Sequence, residues 1–127
     1  MKKILIVEDT EDTMEIFVRT LEKDYVIIKA YNGREALNKT ISEKPDLILL
    51  DILLPDIDGL SVVRRIRHLD EEISNIPIIA VSAGAMPQNV KDALSIGCNS
   101  FIAKPVRPEL LRKKVKEFFI STGGKDE

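Results

Sequence analysis

Four short segments carry the side chains whose types and spacing could do chemistry: Glu8-Asp9, Asp51, Ser82 and Lys104. Each directly follows an apolar run: Ile4 to Val7, Leu47 to Leu50, Ile78 to Val81 and Phe101 to Ala103. Taken singly, each has an ordinary use. Acids start helices, Asp and Ser end strands and make turns, and lysine is mostly a solvated residue. Taken together, three carboxylates and one ammonium would leave a formal charge of −2 in one cleft. Burying such charge is expensive without compensation, so the cluster must bind protons or a divalent cation. Oxygen donors without His or Cys select a hard ion, Mg²⁺ before Zn²⁺, with Mn²⁺ as the alternative. Mg²⁺ typically keeps one or two carboxylates, some waters and a phosphate oxygen. The chemistry indicated is phosphoryl transfer. A carboxylate acts as nucleophile, metal and lysine neutralise charge, and a hydroxyl binds an oxygen of the transferred group.

The elements that must position these residues alternate regularly. Apolar runs at 4–7, 25–30, 47–50, 76–82 and 100–103 read as buried strands. Between them the apolar spacing is helical. The first stripe is Met14, Phe17, Val18 and Leu21, with Asp12 and Glu15 as the expected capping pair. The second is Ala36, Leu37, Thr40 and Ile41, opened by Asn32 with Glu35 and ended before Pro45. Val62, Val63, Ile66 and Leu69 form the third. Val90, Ala93 and Leu94 form the fourth, closed by Gly97. Pro108 opens the last, with Leu111, Val115, Phe118 and Phe119. Five strands alternating with five helices predict an α/β fold, a parallel sheet covered on both faces. Ligands of such sheets bind beyond the carboxyl ends of the strands, where strand order reverses. If the order is 2-1-3-4-5, the four strands with polar ends are contiguous, and the acids of the first and third meet at that point.

Composition narrows the class. The 127 residues are 44% hydrophobic and 31% charged, as expected for one globular domain. The formal charge of −2 argues against a general nucleic-acid binder. A lone Cys98 cannot form an internal disulfide, and no run approaches the roughly 18 apolar residues of a membrane span. The expectation is a cytoplasmic protein with one domain over 1–120 and a flexible tail or linker stub, "STGGKDE", over 121–127.

The segments "ILIVED", "PDLILLDILLPDIDG", "PIIAVSAGA" and "GCNSFIAKPV", in that order, resemble the receiver domain of bacterial two-component response regulators over about residues 2–120. The resemblance implies the flavodoxin-like doubly wound sheet, order 2-1-3-4-5. It implies that Asp51 accepts a phosphoryl group from a histidine kinase or histidine phosphotransfer protein. Asp9 would hold Mg²⁺ directly and Glu8 through water, with Asp51 and the backbone carbonyl of Leu53 completing the metal site. Lys104 would pair with phosphoryl oxygens, and Ser82 would hydrogen-bond them and move toward them. Phe101 would turn inward as the aromatic switch, and Lys104-Pro105 would be a cis peptide. The face formed by the fourth helix, fifth strand and fifth helix would dock a downstream protein. Such a protein assists its own phosphorylation and slow dephosphorylation without turning over an external substrate. Met1 directly before the first strand favours a stand-alone receiver over one taken from a hybrid histidine kinase or longer regulator.

The chain departs from the family pattern in places. The acid pair is Glu-Asp, Ser82 lacks the methyl of the commoner Thr, and Phe101 lacks the hydroxyl of the frequent Tyr. Gly84 leaves an open approach two residues after Ser82. Other classes fit less well. An aspartate-nucleophile phosphohydrolase of the haloacid-dehalogenase type needs an acid-base carboxylate two residues after the nucleophile, where this chain has Leu53. A nucleotide or flavin module wants glycines after the first strand, where "VEDTEDT" offers acids. A pseudo-receiver would lack chemical positions that are filled here. His68 reads as a surface residue at a helix end, Cys98 as packing, and Arg107, Arg112, Lys113, Lys114 and Lys116 as the wet face of the last helix.

Overall fold

A computed structural model describes residues 1–83 and 87–123. Five strands, β1 (Lys3–Val7), β2 (Val26–Ala30), β3 (Leu47–Asp51), β4 (Ile78–Ser82) and β5 (Ser100–Ala103), form one sheet in the order β2-β1-β3-β4-β5. Every pairing is parallel. The helices are α1 (Glu11–Leu21), α2 (Gly33–Glu43), α3 (Gly59–Arg67), α4 (Glu71–Ser74), α5 (Pro87–Ile96) and α6 (Pro108–Gly123). Among the described residues there are six helices rather than the expected five, because α4 is a single turn too short to show periodicity. The fourth and fifth expected helices are therefore α5 and α6. The final helix runs past 120, and residues 124–127 of the expected tail lie outside the described residues, as does Gly84. Among the described residues no helix is long and apolar enough to cross a membrane.

Strand side chains alternate between two cores, which explains the unbroken apolar runs. Ile4, Ile6, Leu47, Leu49, Ile79, Val81 and Ile102 meet Met14, Phe17 and Leu21 of α1 and Leu111 and Val115 of α6. Leu5, Val7, Ile48, Leu50, Ile78 and Ala80 meet Ala36, Val62, Val63, Ile66 and Ala93 of α2, α3 and α5. Two stripe positions fall outside. Ile41 is 48% and Leu94 46% exposed, while their neighbours Thr40 and Ala93 are buried. In these two pairs only one of the adjacent residues faces the sheet.

Caps behave unequally. Asn32 Oδ1 accepts from Glu35 N at 2.9 Å, and Glu35 Oε1 accepts from Tyr31 N at 2.9 Å, a reciprocal cap. The expected pair Asp12 and Glu15 does not cap α1. The capping position is Thr10, in extended conformation, whose carbonyl accepts from Met14 N at 2.9 Å. Asp12 already lies inside the first turn, where its charge suits the helix dipole.

At the amino ends of β4 and β5, Arg67 joins several segments. Its guanidinium donates to the carbonyls of Gly97 (Nε 3.0 Å, Nη2 2.7 Å), Ser74 (2.8 Å) and Ile76 (2.7 Å), and to Asn99 Oδ1 (2.9 Å). Asn99 Oδ1 also accepts from Ile78 N at 2.8 Å. Next to this group Cys98 is 6% exposed. Burial pushes its thiol up to about 11, although the Arg67 charge pulls the other way. At about pH 8 the thiol is therefore neutral and shielded. A disulfide reagent should label Cys98 slowly in the folded protein and stoichiometrically in denaturant. Fast labelling of the native state would contradict its burial.

Candidate functional site

The sheet delivers the four polar segments to one edge. Glu8 and Asp9 follow β1, and the register pairs Val7 with Leu50 and Asp51 with Val81. Asp51 ends β3, Ser82 ends β4, and Lys104 follows β5, its N–H donating to the Ser82 carbonyl at 3.0 Å. The fully buried strands β3 and β4, with β1 and the edge strand β5 beside them, thus aim these side chains into a common cleft.

Glu8 is fully buried and Asp51 is 4% exposed. Lys104 Nζ donates to Glu8 Oε1 at 2.9 Å and to Asp51 Oδ2 at 3.0 Å. The second oxygens are also engaged: Glu8 Oε2 accepts from Thr10 N at 3.1 Å, and Asp51 Oδ1 from Leu53 N at 2.9 Å. Burial raises the Glu8 carboxyl above its ordinary range, and the Asp51 charge adds to this against the pull of Lys104 and the Thr10 N–H. Burial would lower the Lys104 ammonium, but its bonds to the two carboxylates outweigh that and raise it. The cluster is thus short of positive charge even with its lysine in place.

Ligand oxygens from Glu8, Asp9 and Asp51 lie within 4.8 Å of one another. Asp9 is exposed and the other two are buried, so the group opens to solvent on one side. An all-oxygen donor set with excess negative charge fits a hard divalent cation. Ser82 is 4% exposed, one residue beyond the Asp51–Val81 pair. Phe101 is half-buried, pairs in register with Ala80, and packs on the core under α2, α3 and α5. The Lys104–Pro105 peptide is cis.

Two cavities flank the cleft. One of about 380 Å³ is lined by Thr13, Ile16, Phe17, Ala83, Lys104 and Val106. Another of about 230 Å³ is lined by Ile52, Leu53, Leu60, Ser82 and Asn89. The loop from Ile52 to Asp58 walls the second. Its base is closed by Gly59 N donating to Ile52 O at 2.9 Å. A Cβ on Gly59 would lie 2.5 Å from Ile52 Cα, so only glycine permits that approach.

Glu8, Asp9, Asp51, Ser82 and Lys104 lie together at this edge, whereas Phe101 sits further back along β5, level with Ala80. Sequence reasoning missed Ile16 and Val106 beside the cleft, whose apolar character read as helix and loop packing. It also missed Asp56, whose carboxylate accepts from the backbone of Gly33 and Arg34. An acid after Pro55 looks like any turn residue, and no local signal gives its partner.

Comparison with known proteins agrees with this geometry. A family model described as the response regulator receiver domain matches residues 4–116. The polar-differentiation response regulator DivK of Brucella anthropi is 37% identical over 118 residues, 92% of this chain and 95% of that protein. The crystal structure of a CheY-like response regulator receiver domain protein from Methanospirillum hungatei superposes with a TM-score of 0.89 at 30% identity, covering 98% of each chain. The structure of the BeF3-activated DrrB receiver domain superposes with a TM-score of 0.84 at 25% identity, covering 94% of this chain and 97% of that one.

Proposed function

Because the chain belongs to the response regulator receiver family, we propose that Asp51 accepts a phosphoryl group from a phosphohistidine donor and that this modification switches a protein-binding face. Receiver domains are signalling modules that bind Mg²⁺ at an acidic cluster, and Glu8, Asp9 and Asp51 form such a cluster here. The observation that carries the reading is Lys104 Nζ, bonded to Glu8 and Asp51 at 2.9 and 3.0 Å beside the open carboxylate of Asp9.

In the transfer, an Asp51 oxygen forms a bond to phosphorus as the donor's phosphorus–nitrogen bond breaks, and the departing imidazole takes up a proton. The donor is a histidine kinase or a histidine phosphotransfer protein. It approaches from the exposed side, where Ile16 and Val106 offer an apolar wall next to Lys104. Asp9, Asp51, the Leu53 carbonyl and, through water, Glu8 would hold Mg²⁺. The bound ion supplies positive charge to the oxygens of the transferred group. Lys104 leaves its carboxylate partners to pair with phosphoryl oxygens, and Ser82 donates its hydroxyl to another. The movement of Ser82 lets Phe101 turn further into the core, and the surface of α5, β5 and α6 changes with it. β5 is an edge strand, which leaves that face available to a downstream protein. Multiple turnover on an external phosphate ester is not expected, because Leu53 stands where a hydrolase of this chemistry carries its acid-base carboxylate.

Incubation with a small-molecule phosphodonor and Mg²⁺, followed by intact mass spectrometry, tests the reading. One added phosphoryl group per chain is expected, and none in the presence of a chelator. A chain that takes up phosphate neither from small donors nor from a phosphohistidine protein would overturn it.

A further inference from the structure

The carboxylate of Asp56 is bonded to the start of α2, far from it in sequence. Oδ1 accepts from Gly33 N at 2.7 Å and Oδ2 from Arg34 N at 3.0 Å. With Asn32 capping Glu35 N at 2.9 Å, each of the first three N–H groups of α2 has an acceptor, and two of those acceptors belong to the loop after Asp51. The positive end of the helix dipole favours a carboxylate there. Principally because of the Gly33 N–H, the Asp56 carboxyl is held below its ordinary range. Gly33 makes the approach possible: a Cβ there would meet Ile57 Cβ at 2.9 Å and Asp56 Oδ1 at 3.2 Å.

The loop from Ile52 to Asp58 is therefore held at two places. Gly59 N closes its base on Ile52 O, and Asp56 ties its outer side to α2. Between these anchors lies Leu53, which is 62% exposed and has little packing of its own to fix it. Yet its N–H orients Asp51 by donating to Oδ1 at 2.9 Å. The conformation of residue 53 must then be imposed by the anchors on either side.

We propose that Asp56 is a positioning residue for the phosphoryl site: its two bonds to α2 hold the loop in the shape that presents the Leu53 amide to Asp51 and the Leu53 carbonyl to the cation. The part of this inference that concerns the cation rests on the function proposed above. The part that concerns the Leu53 amide does not. Support of a metal ligand from the next layer of residues commonly changes affinity by about ten- to a hundredfold. The lower figure applies here, because Leu54 and Ile57 still pack on the core and partly hold the loop.

The test uses the full chain with Asp56→Ala and, as a control, Asn32→Ala. The control removes the other cap of the same helix and leaves Asp56 in place. Mg²⁺ affinity is measured by calorimetry, and exchange of the Leu53 amide is followed by NMR without metal. Asp56→Ala is expected to bind Mg²⁺ roughly tenfold more weakly and to exchange the Leu53 amide faster. Asn32→Ala should change neither. Equal effects in both variants would assign the result to helix stability and overturn the clamp. So would wild-type Mg²⁺ affinity and wild-type Leu53 exchange in Asp56→Ala. A wild-type chain that binds no Mg²⁺ would overturn the functional reading itself, and Leu53 exchange alone would then decide the clamp.

Discussion

Asp51→Asn is expected to abolish phosphoryl uptake while leaving the fold within about 1 kcal/mol of wild type in the absence of Mg²⁺. An amide is not a nucleophile toward phosphorus. Removing the attacking group from such a site lowers the rate at least about a thousandfold, which is background in a mass measurement. Stability should hardly change, because two effects oppose. Lys104 loses one of its two carboxylate partners. At the same time Glu8, whose carboxyl is raised first by burial and also by the Asp51 charge, loses a like-charged neighbour. The effect of metal separates the proteins further. A ligand at a hundred times its dissociation constant adds about 2.7 kcal/mol to a fold it binds. Mg²⁺ should raise the melting temperature of the wild type and raise that of Asp51→Asn much less. Undiminished phosphoryl uptake by Asp51→Asn would transfer the acceptor role to Glu8 or Asp9. A variant that unfolds would show that the cluster is structural first.

The second large effect is expected at the opposite end of the sheet. Arg67→Ala should destabilise the domain by about 3 kcal/mol, read as a lower urea midpoint at unchanged slope. The guanidinium supplies donors to three backbone carbonyls and one side-chain oxygen from the segments around Ser74, Ile76 and Gly97 to Asn99. Each acceptor left without a donor costs about 1–3 kcal/mol if fully buried. Arg67 is only partly buried, so water recovers some of that sum. Arg67→Lys should not rescue, because one ammonium cannot span acceptors arranged around a planar fork. The folded fraction should still take up phosphoryl normally, since the site lies at the other ends of the strands. A loss below about 0.5 kcal/mol, the usual scale of a surface substitution, would contradict the role given to Arg67.

Sequence and structure agree where information is local. The strands were legible because burial on both faces demands unbroken apolar runs. The site was legible because each of its residues directly follows such a run, and parallel topology converts that regularity into proximity. The reciprocal cap of Asn32 and Glu35 was also local, and it formed. What was not legible depends on partners distant in sequence. Arg67 reads as one of several basic residues at the end of α3, since its acceptors converge only in the folded chain. Asp56 reads as a turn acid because Gly33 comes long before it. The helix at 71–74 has too few residues for a stripe. At α1 the spacing of Asp12 and Glu15 matched a capping box, yet the chain enters its helix earlier, at Thr10. Thr10 itself is held by Glu8, so an acid of the proposed cation site also helps set where that helix begins.

The seclusion of Cys98 has a practical use. The sequence contains a single cysteine, and a protonated thiol 6% exposed is a poor target for alkylating probes. A fluorophore or spin label can therefore be placed by one substitution, such as Leu94→Cys on the surface of α5, without first deleting the native sulfur. The reporter would then sit on the proposed output face of an otherwise unaltered molecule and follow its response to a phosphoryl mimic in real time.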